Sequence, residues 1–293
     1  MSLRQQLRGT GVAIVTPFSA DLGIDYVALD RIIDYLIAGG VEYIVTMGTT
    51  GETPTISKSE KKAIVQFTYE KIDGRVPVVV GIGGNNTAEL VEELRSLPLE
   101  PAVAVLSASP YYSKPSQEGL FQHYKTLAAA SPKPLLLYNV PGRTGRNLNA
   151  ATTIRLAREV KNIAGIKEAS GDMGQCMEIL RDRPDDFLVV SGDDALAFPQ
   201  IAVGMDGVIS VAANSWPKAF SEMVRLALKG DLKAAKALND GLIAGYELLF
   251  AENNPAGVKA AMSELKLIGN HVRLPLVPLS QGLHARLREY MQK

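Results

Sequence analysis

Eight short apolar runs, each followed by residues at helical spacing, occupy about two hundred residues of this chain, and few architectures accept that rhythm. The runs are Gly11–Thr16, Tyr43–Gly48, Val76–Ile82, Ala102–Ser107, Leu135–Asn139, Ile163–Lys167, Phe187–Ser191 and Gly207–Val211. Short apolar runs of this kind suit strands buried on both faces. Between them lie helical patterns at Tyr26–Ala38, Lys58–Ile72, Thr87–Leu97, Gln117–Ala130, Ala150–Val160, Cys176–Arg181 and Leu196–Val203, with Ser57 and Thr87 as caps and Gly39-Gly40 as a stop. The alternation predicts an α/β chain folded as a (β/α)8 TIM barrel, a fold of about 250 residues. The rival is a doubly wound open sheet, but no strand is followed by a G-x-G-x-x-G turn. Gly81-Ile82-Gly83-Gly84 has the wrong spacing for one and reads as close backbone approach at a strand end.

Strand signals stop beyond Ser215. Lys218–Leu228, Leu232–Leu249 and Pro255–Leu265 read as helices, followed by the proline-bearing Arg273–Ser280 and a last helix to Tyr290. The expected division is a catalytic barrel over residues 1–224 and a C-terminal helical region over 225–293, packed together because no low-complexity linker separates them.

Composition narrows the function. Lys+Arg 31 balances Asp+Glu 31 and no basic run is interleaved with aromatics, which argues against a nucleic-acid surface. No apolar segment reaches the roughly twenty residues that span a bilayer, and Met1 to Arg8 lacks the apolar core of a signal peptide. Cys176 is the single cysteine, so no internal disulfide forms, and a reducing cytoplasm is the expected location. A soluble enzyme acting on small molecules fits these limits.

In a barrel of this kind chemistry gathers where strands end and loops begin. Ile163 to Ser170 is apolar until Lys167, which reads either as a lysine that snorkels its charge into water or as a desolvated amine whose free base attacks a carbonyl. Gly48-Thr49-Thr50-Gly51-Glu52 reads as an anion-holding turn or an ordinary capped one. Arg143, in the rigid Pro141–Gly145 turn, is a carboxylate fork or a surface charge, and Tyr138 an acid-base group or a packed ring. His123, His271 and His284 are scattered without metal-ligand spacing, Cys176 reads as packing, and Asp193-Asp194 as a turn and cap. An amine, a tyrosine, hydroxyls and an arginine are parts for metal-free carbon–carbon bond formation on a keto acid.

GTTGE at Gly48–Glu52, YYSKPSQEGL at Tyr111–Leu120, YNVPGRTG at Tyr138–Gly145, GIKEASGD at Gly165–Asp172, SGDD at Ser191–Asp194 and GVISVAAN at Gly207–Asn214 together resemble the dihydrodipicolinate synthase family, within the pyruvate-dependent class I aldolase and N-acetylneuraminate lyase superfamily. ENNPAGVKAAM at Glu252–Met262 and RLPLVPLS at Arg273–Ser280 resemble the family's C-terminal region. The resemblance implies a lyase of the diaminopimelate route to L-lysine, which condenses pyruvate with L-aspartate 4-semialdehyde without metal or cofactor. It implies that Lys167 forms the Schiff base, Tyr138 is the acid-base group, and Thr50 with Tyr112 of a neighbouring subunit completes a proton relay. Thr49 and Thr50 would hold pyruvate, Arg143 the semialdehyde carboxylate, and Gly192 and Ile209 would supply backbone. A homotetramer built from tight dimers is expected. Lys58, Asn85, Glu89 and Tyr111 match an allosteric lysine site, but Lys58 stands where lysine-inhibited members carry histidine, so feedback inhibition is expected to be weak.

Overall fold

Valine, isoleucine and leucine at consecutive positions favour strands covered on both faces. In the computed structural model, which describes residues 2–292, eight such strands run parallel and close into a barrel. The order is α1 (Leu3–Gln6), β1 (Gly9–Ala13), α2 (Tyr26–Ala38), β2 (Tyr43–Thr46), α3 (Lys58–Ile72), β3 (Val78–Gly81), α4 (Thr87–Ser96), β4 (Ala104–Ala108), α5 (Gln117–Ala130) and β5 (Leu135–Asn139). It continues with the short α6 (Pro141–Thr144), α7 (Ala150–Glu159), β6 (Ile163–Glu168), α8 (Met173–Asp182), β7 (Leu188–Ser191), α9 (Ala197–Ala202), β8 (Gly207–Ser210) and α10 (Pro217–Leu228). Finally come α11 (Leu232–Phe250), α12 (Ala256–Glu264) and α13 (Gln281–Met291).

Each strand pairs with the next, and β8 returns to β1 with Gly9 opposite Gly207. Gly207 has φ +152°, and a Cβ there would lie 2.0 Å from the Gly9 carbonyl oxygen, so only glycine lets the barrel close at this seam. Along the strands the side chains alternate. Tyr43, Val45, Val79, Leu106, Leu136 and Leu188 form the inner cluster, while Ile44, Val80, Val105, Leu137 and Val189 pack with the helices.

The expected elements are present, with local corrections. The sheet part of β1 ends at Ala13, earlier than expected, because Ile14 to Thr16 stay buried after leaving the ladder. There Val15 N–H donates to Asn214 Oδ1 at 3.3 Å, and Thr16 Oγ1 donates to the Gly51 carbonyl at 2.7 Å. Asn86, not Thr87, caps α4, while α8 starts at Met173 under an Asp172 cap, three residues ahead of Cys176. Ser57 caps α3 as expected, in a capping box with Glu60. Helix α10 packs on β1, α2 and α9 as the last helix of the barrel wall, so it crosses residue 224. Helix α11 rests on α9 and α10, and α12 and α13 pack beside it. Among the described residues no helix is long and apolar enough to cross a membrane.

Buried His123 gives the fold a pH dependence. Its Nδ1 meets Thr87 Oγ1 at 2.8 Å, and burial pushes the imidazole from 6.5 down to about 4. Between those values the unfolded chain binds the proton that the folded one refuses, so the stability His123 contributes is full above about 6.5 and is lost as pH falls toward 4. The loss amounts to about 3 kcal/mol. Urea unfolding across this range checks it: His123→Gln is expected to flatten the slope by about one proton, and an unchanged slope would contradict the assignment.

Candidate functional site

The inward side of the strand alternation ends in a cavity of about 900 Å³ at the C-terminal mouth of the barrel, lined on one side by α11 residues including Tyr246 and Phe250. Lys167 and Tyr138 face each other across the register of β5 and β6. They are 5% and 8% exposed, and Lys167 Nζ lies 4.3 Å from the Tyr138 ring centroid. Of the two readings of Lys167, snorkelling into water is therefore ruled out by burial. Among the described residues no hydrogen bond engages the Tyr138 hydroxyl.

The outward neighbours hold this pair in place. Asn139 Nδ2 donates to both oxygens of buried Glu168, at 3.2 and 3.0 Å, while Gln175 Nε2 and the Ser170 N–H donate at 3.0 and 2.7 Å. Asn139 Oδ1 accepts from Leu148 N–H at 2.9 Å. A buried carboxylate satisfied by several N–H donors locks the ends of two adjacent strands together. Gly192, after β7, leaves the lysine its space. A Cβ there would sit 2.9 Å from Lys167 Cε and 2.6 Å from Ala169 Cβ.

The Thr49–Gly51 segment is a single 3-10 turn that follows Met47 and precedes Glu52, both with positive φ. Thr53 Oγ1 donates to the Met47 and Gly48 carbonyls, at 2.7 and 2.9 Å, and pins the turn. The two threonines differ. Thr50 is buried and its Oγ1 accepts from Asn254 Nδ2 at 3.1 Å, whereas Thr49 lines the cavity with no hydroxyl partner among the described residues. Glu52 is fully buried, paired with Lys259 of α12, and accepts the Arg273 N–H at 3.0 Å. Burial pushes the Lys259 amine below the usual lysine range, against the pull of Glu52.

Arg143 sits in α6, a short helical turn where a loop turn was expected, and lines the cavity with Nη2 3.5 Å from the Asn254 carbonyl. Ile209 packs in the inner cluster below, and Val211 reaches the cavity instead. Tyr112 is 91% exposed at φ +63°. Asn85 Oδ1 accepts the Tyr111 N–H at 2.8 Å, while Lys58 and Glu89 lie exposed on α3 and α4. It is Lys61, one turn beyond Lys58, that lines the cavity and pairs with Glu93 at 2.7 Å.

Asp193 makes the expected turn, accepting from Ala195 and Leu196 N–H at 2.9 and 3.2 Å. Asp194 is buried beneath β8, accepts the Val211 and Ala212 N–H groups, and is pushed up to about 6 by that burial. Burial pushes the Cys176 thiol up to about 12, in keeping with packing. Among the described residues no group of three or more His, Cys, Asp or Glu is arranged to hold a metal.

Asn254, Lys61 and the α11 wall escaped the sequence reading. Asn254 carried one faint signal, an Asn-Asn-Pro break between two helical patterns. Because Gly192 makes room for Lys167, Gly192→Ala is expected to slow capture of the lysine by a small keto acid at least roughly tenfold, with the fold intact by circular dichroism. Unimpaired capture would contradict this packing argument.

Residues 6–293 match the model of the dihydrodipicolinate synthetase family. A 4-hydroxy-tetrahydrodipicolinate synthase of Flavobacterium psychrophilum is 49% identical over 283 residues, covering 97% of this chain and 97% of the relative. The enzyme of that name from Parabacteroides distasonis is 46% identical over 287 residues, covering 98% and 97%. Among solved structures, the chloride-inhibited dihydrodipicolinate synthase of Acinetobacter baumannii, complexed with pyruvate, superposes with a TM-score of 0.95 at 41% identity and covers 98% of each chain. Full-length matches of this kind, on a closed barrel with an inward lysine at its mouth, establish that the chain belongs to the dihydrodipicolinate synthetase family.

Proposed function

We propose that this chain condenses pyruvate with L-aspartate 4-semialdehyde to give 4-hydroxy-tetrahydrodipicolinate, in the diaminopimelate route to L-lysine. The observation that carries the reading is the buried Lys167 amine held 4.3 Å from the Tyr138 ring centroid in a cavity that also holds hydroxyls and an arginine. As free base, Lys167 attacks the keto carbon; the keto oxygen leaves as water and an iminium remains. That iminium is the electron sink, so neither metal nor organic cofactor is required. Loss of a methyl proton gives an enamine, which attacks the aldehyde carbon while the aldehyde oxygen takes up a proton. The semialdehyde's own amine then attacks the iminium carbon, the bond to Lys167 breaks, and the ring closes.

Tyr138, with its hydroxyl unengaged, is the group placed to move these protons. The relay expected through Thr50 is better served by Thr49, because Asn254 already engages the Thr50 hydroxyl and the Thr49 hydroxyl is unpartnered in the cavity. Thr50 is then the carboxylate donor for pyruvate. Arg143, beside the mouth, offers its fork to the carboxylate of the semialdehyde. Gly192 gives Lys167 room, and Ile209 supports the floor beneath.

A continuous assay with both substrates tests this reading. Lys167→Ala is expected to abolish turnover, and Arg143→Ala to raise KM for the semialdehyde at least roughly tenfold with a smaller change for pyruvate. Turnover by Lys167→Ala, or an Arg143→Ala effect confined to pyruvate, would contradict it.

Tyr112, 91% exposed and held at positive φ, is an aromatic that the described residues of its own chain leave uncovered, which supports its entry into a neighbouring subunit's site. The assembly is a homotetramer of tight dimers working in the cytoplasm. Lys58 is an exposed cation on α3, where lysine-inhibited members carry histidine, and Lys61 on the same helix lines the cavity with Tyr111, so a lysine ammonium bound there would meet repulsion from Lys58. At about 1 mM L-lysine, most activity is expected to persist; half-inhibition well below that concentration would refute weak feedback.

A further inference from the structure

Residue 254 lies more than two hundred positions from the Thr49–Thr50 turn, yet the two segments are tied twice. Asn254 Nδ2 donates to Thr50 Oγ1 at 3.1 Å, and five residues on, Lys259 forms the fully buried ion pair with Glu52. Between the two ties, the Lys259 N–H donates to the Pro255 carbonyl at 2.9 Å, so the first turn of α12 is a rigid bracket. Lys259 Nζ also donates to the His271 carbonyl at 2.9 Å and lies 4.0 Å from the Phe18 ring centroid. Arg273 caps the arrangement, bonding Glu52 through its N–H and Glu60 through its guanidinium at 2.6 and 3.0 Å.

From this geometry we infer that Asn254 is a positioning residue for the α-keto acid, acting through Thr50; the inference rests on the pyruvate reading above. A hydroxyl has one proton and can both accept and donate. An amide N–H seated on the Thr50 oxygen fills its accepting side, which leaves the hydroxyl proton to be donated into the cavity. A donor fixed in direction suits a carboxylate, because the cost of orienting the rotor is met in folding and not on binding. The Asn254 backbone carbonyl, 3.5 Å from Arg143 Nη2, places the same residue beside the arginine that meets the second substrate. Asn254 thus joins the two carboxylate sites from the C-terminal region.

The test uses the full-length protein, measuring borohydride-trapped adduct against concentration with pyruvate alone, and separately the KM for the semialdehyde in the two-substrate assay. Asn254→Asp keeps the volume of the side chain and removes the donor; Asn254→Ala removes both. Each is expected to raise the half-saturating pyruvate concentration at least about fivefold, while maximal trapping and the KM for the semialdehyde stay within about twofold. In a Thr50→Val background, adding the neutral Asn254→Ala is expected to change nothing further, because the partner is already lost. Half-saturation within twofold of the unsubstituted protein in either folded variant would overturn the inference, as would an additive effect in the double variant. No trapping in the unsubstituted protein would instead overturn the pyruvate reading and, with it, this inference.

Discussion

The period of two along a β-strand is the constraint on which this site depends. In a closed barrel one set of side chains must enter the interior and the next must meet the helices. Tyr138 and Lys167, paired in register on β5 and β6, fall in the first set; Asn139 and Glu168, each one residue later, fall in the second. The chemistry and its support are thus written as adjacent residues on the same strands. Shifting β6 by one residue would bury a carboxylate in the cavity and turn the amine toward the helices, and shifting β5 would put an amide in place of the tyrosine.

The second constraint is burial. Lys167 has a use for a water-poor surrounding, but the same surrounding makes every unpaired polar group costly. The Glu168 network answers this on the helix side with neutral N–H donors, and Glu52 answers it at the β2 loop with a full ion pair to Lys259. Removing one member of a buried pair typically costs about 3–5 kcal/mol, because the other charge is stranded. That ties the C-terminal helices to the Thr49–Gly51 turn. They form a wall of the site: α11 lines its mouth, Asn254 reaches Thr50, and Lys259 reaches Glu52.

Strand order, barrel closure and the strand-end residues Thr49, Thr50, Tyr138, Arg143, Lys167 and Gly192 at the mouth were legible in the sequence because the strands are compact apolar runs and most end in their own polar residues. Boundaries were less so. Ile14 to Thr16 read as strand because burial, which composition reports, continues where ladder pairing, which it does not, has stopped. Asp172 and Asn86 cap helices that apolar spacing alone starts later or at the wrong residue. The difference between Thr49 and Thr50 was invisible, since both sit in one motif and it is burial and a contact from residue 254 that set them apart. Lys61 and Lys58 are likewise equal in sequence, and the pitch of α3 alone decides which faces the cavity.

The central claim is that the buried amine at the end of β6 is the nucleophile toward pyruvate. Reduction with borohydride in the presence of pyruvate, followed by peptide mass mapping, tests it most directly. The account predicts a single reduced pyruvate adduct on the peptide carrying Lys167, absent when pyruvate is omitted. An adduct on another lysine, such as Lys61 or Lys259, or no adduct at all, would contradict it.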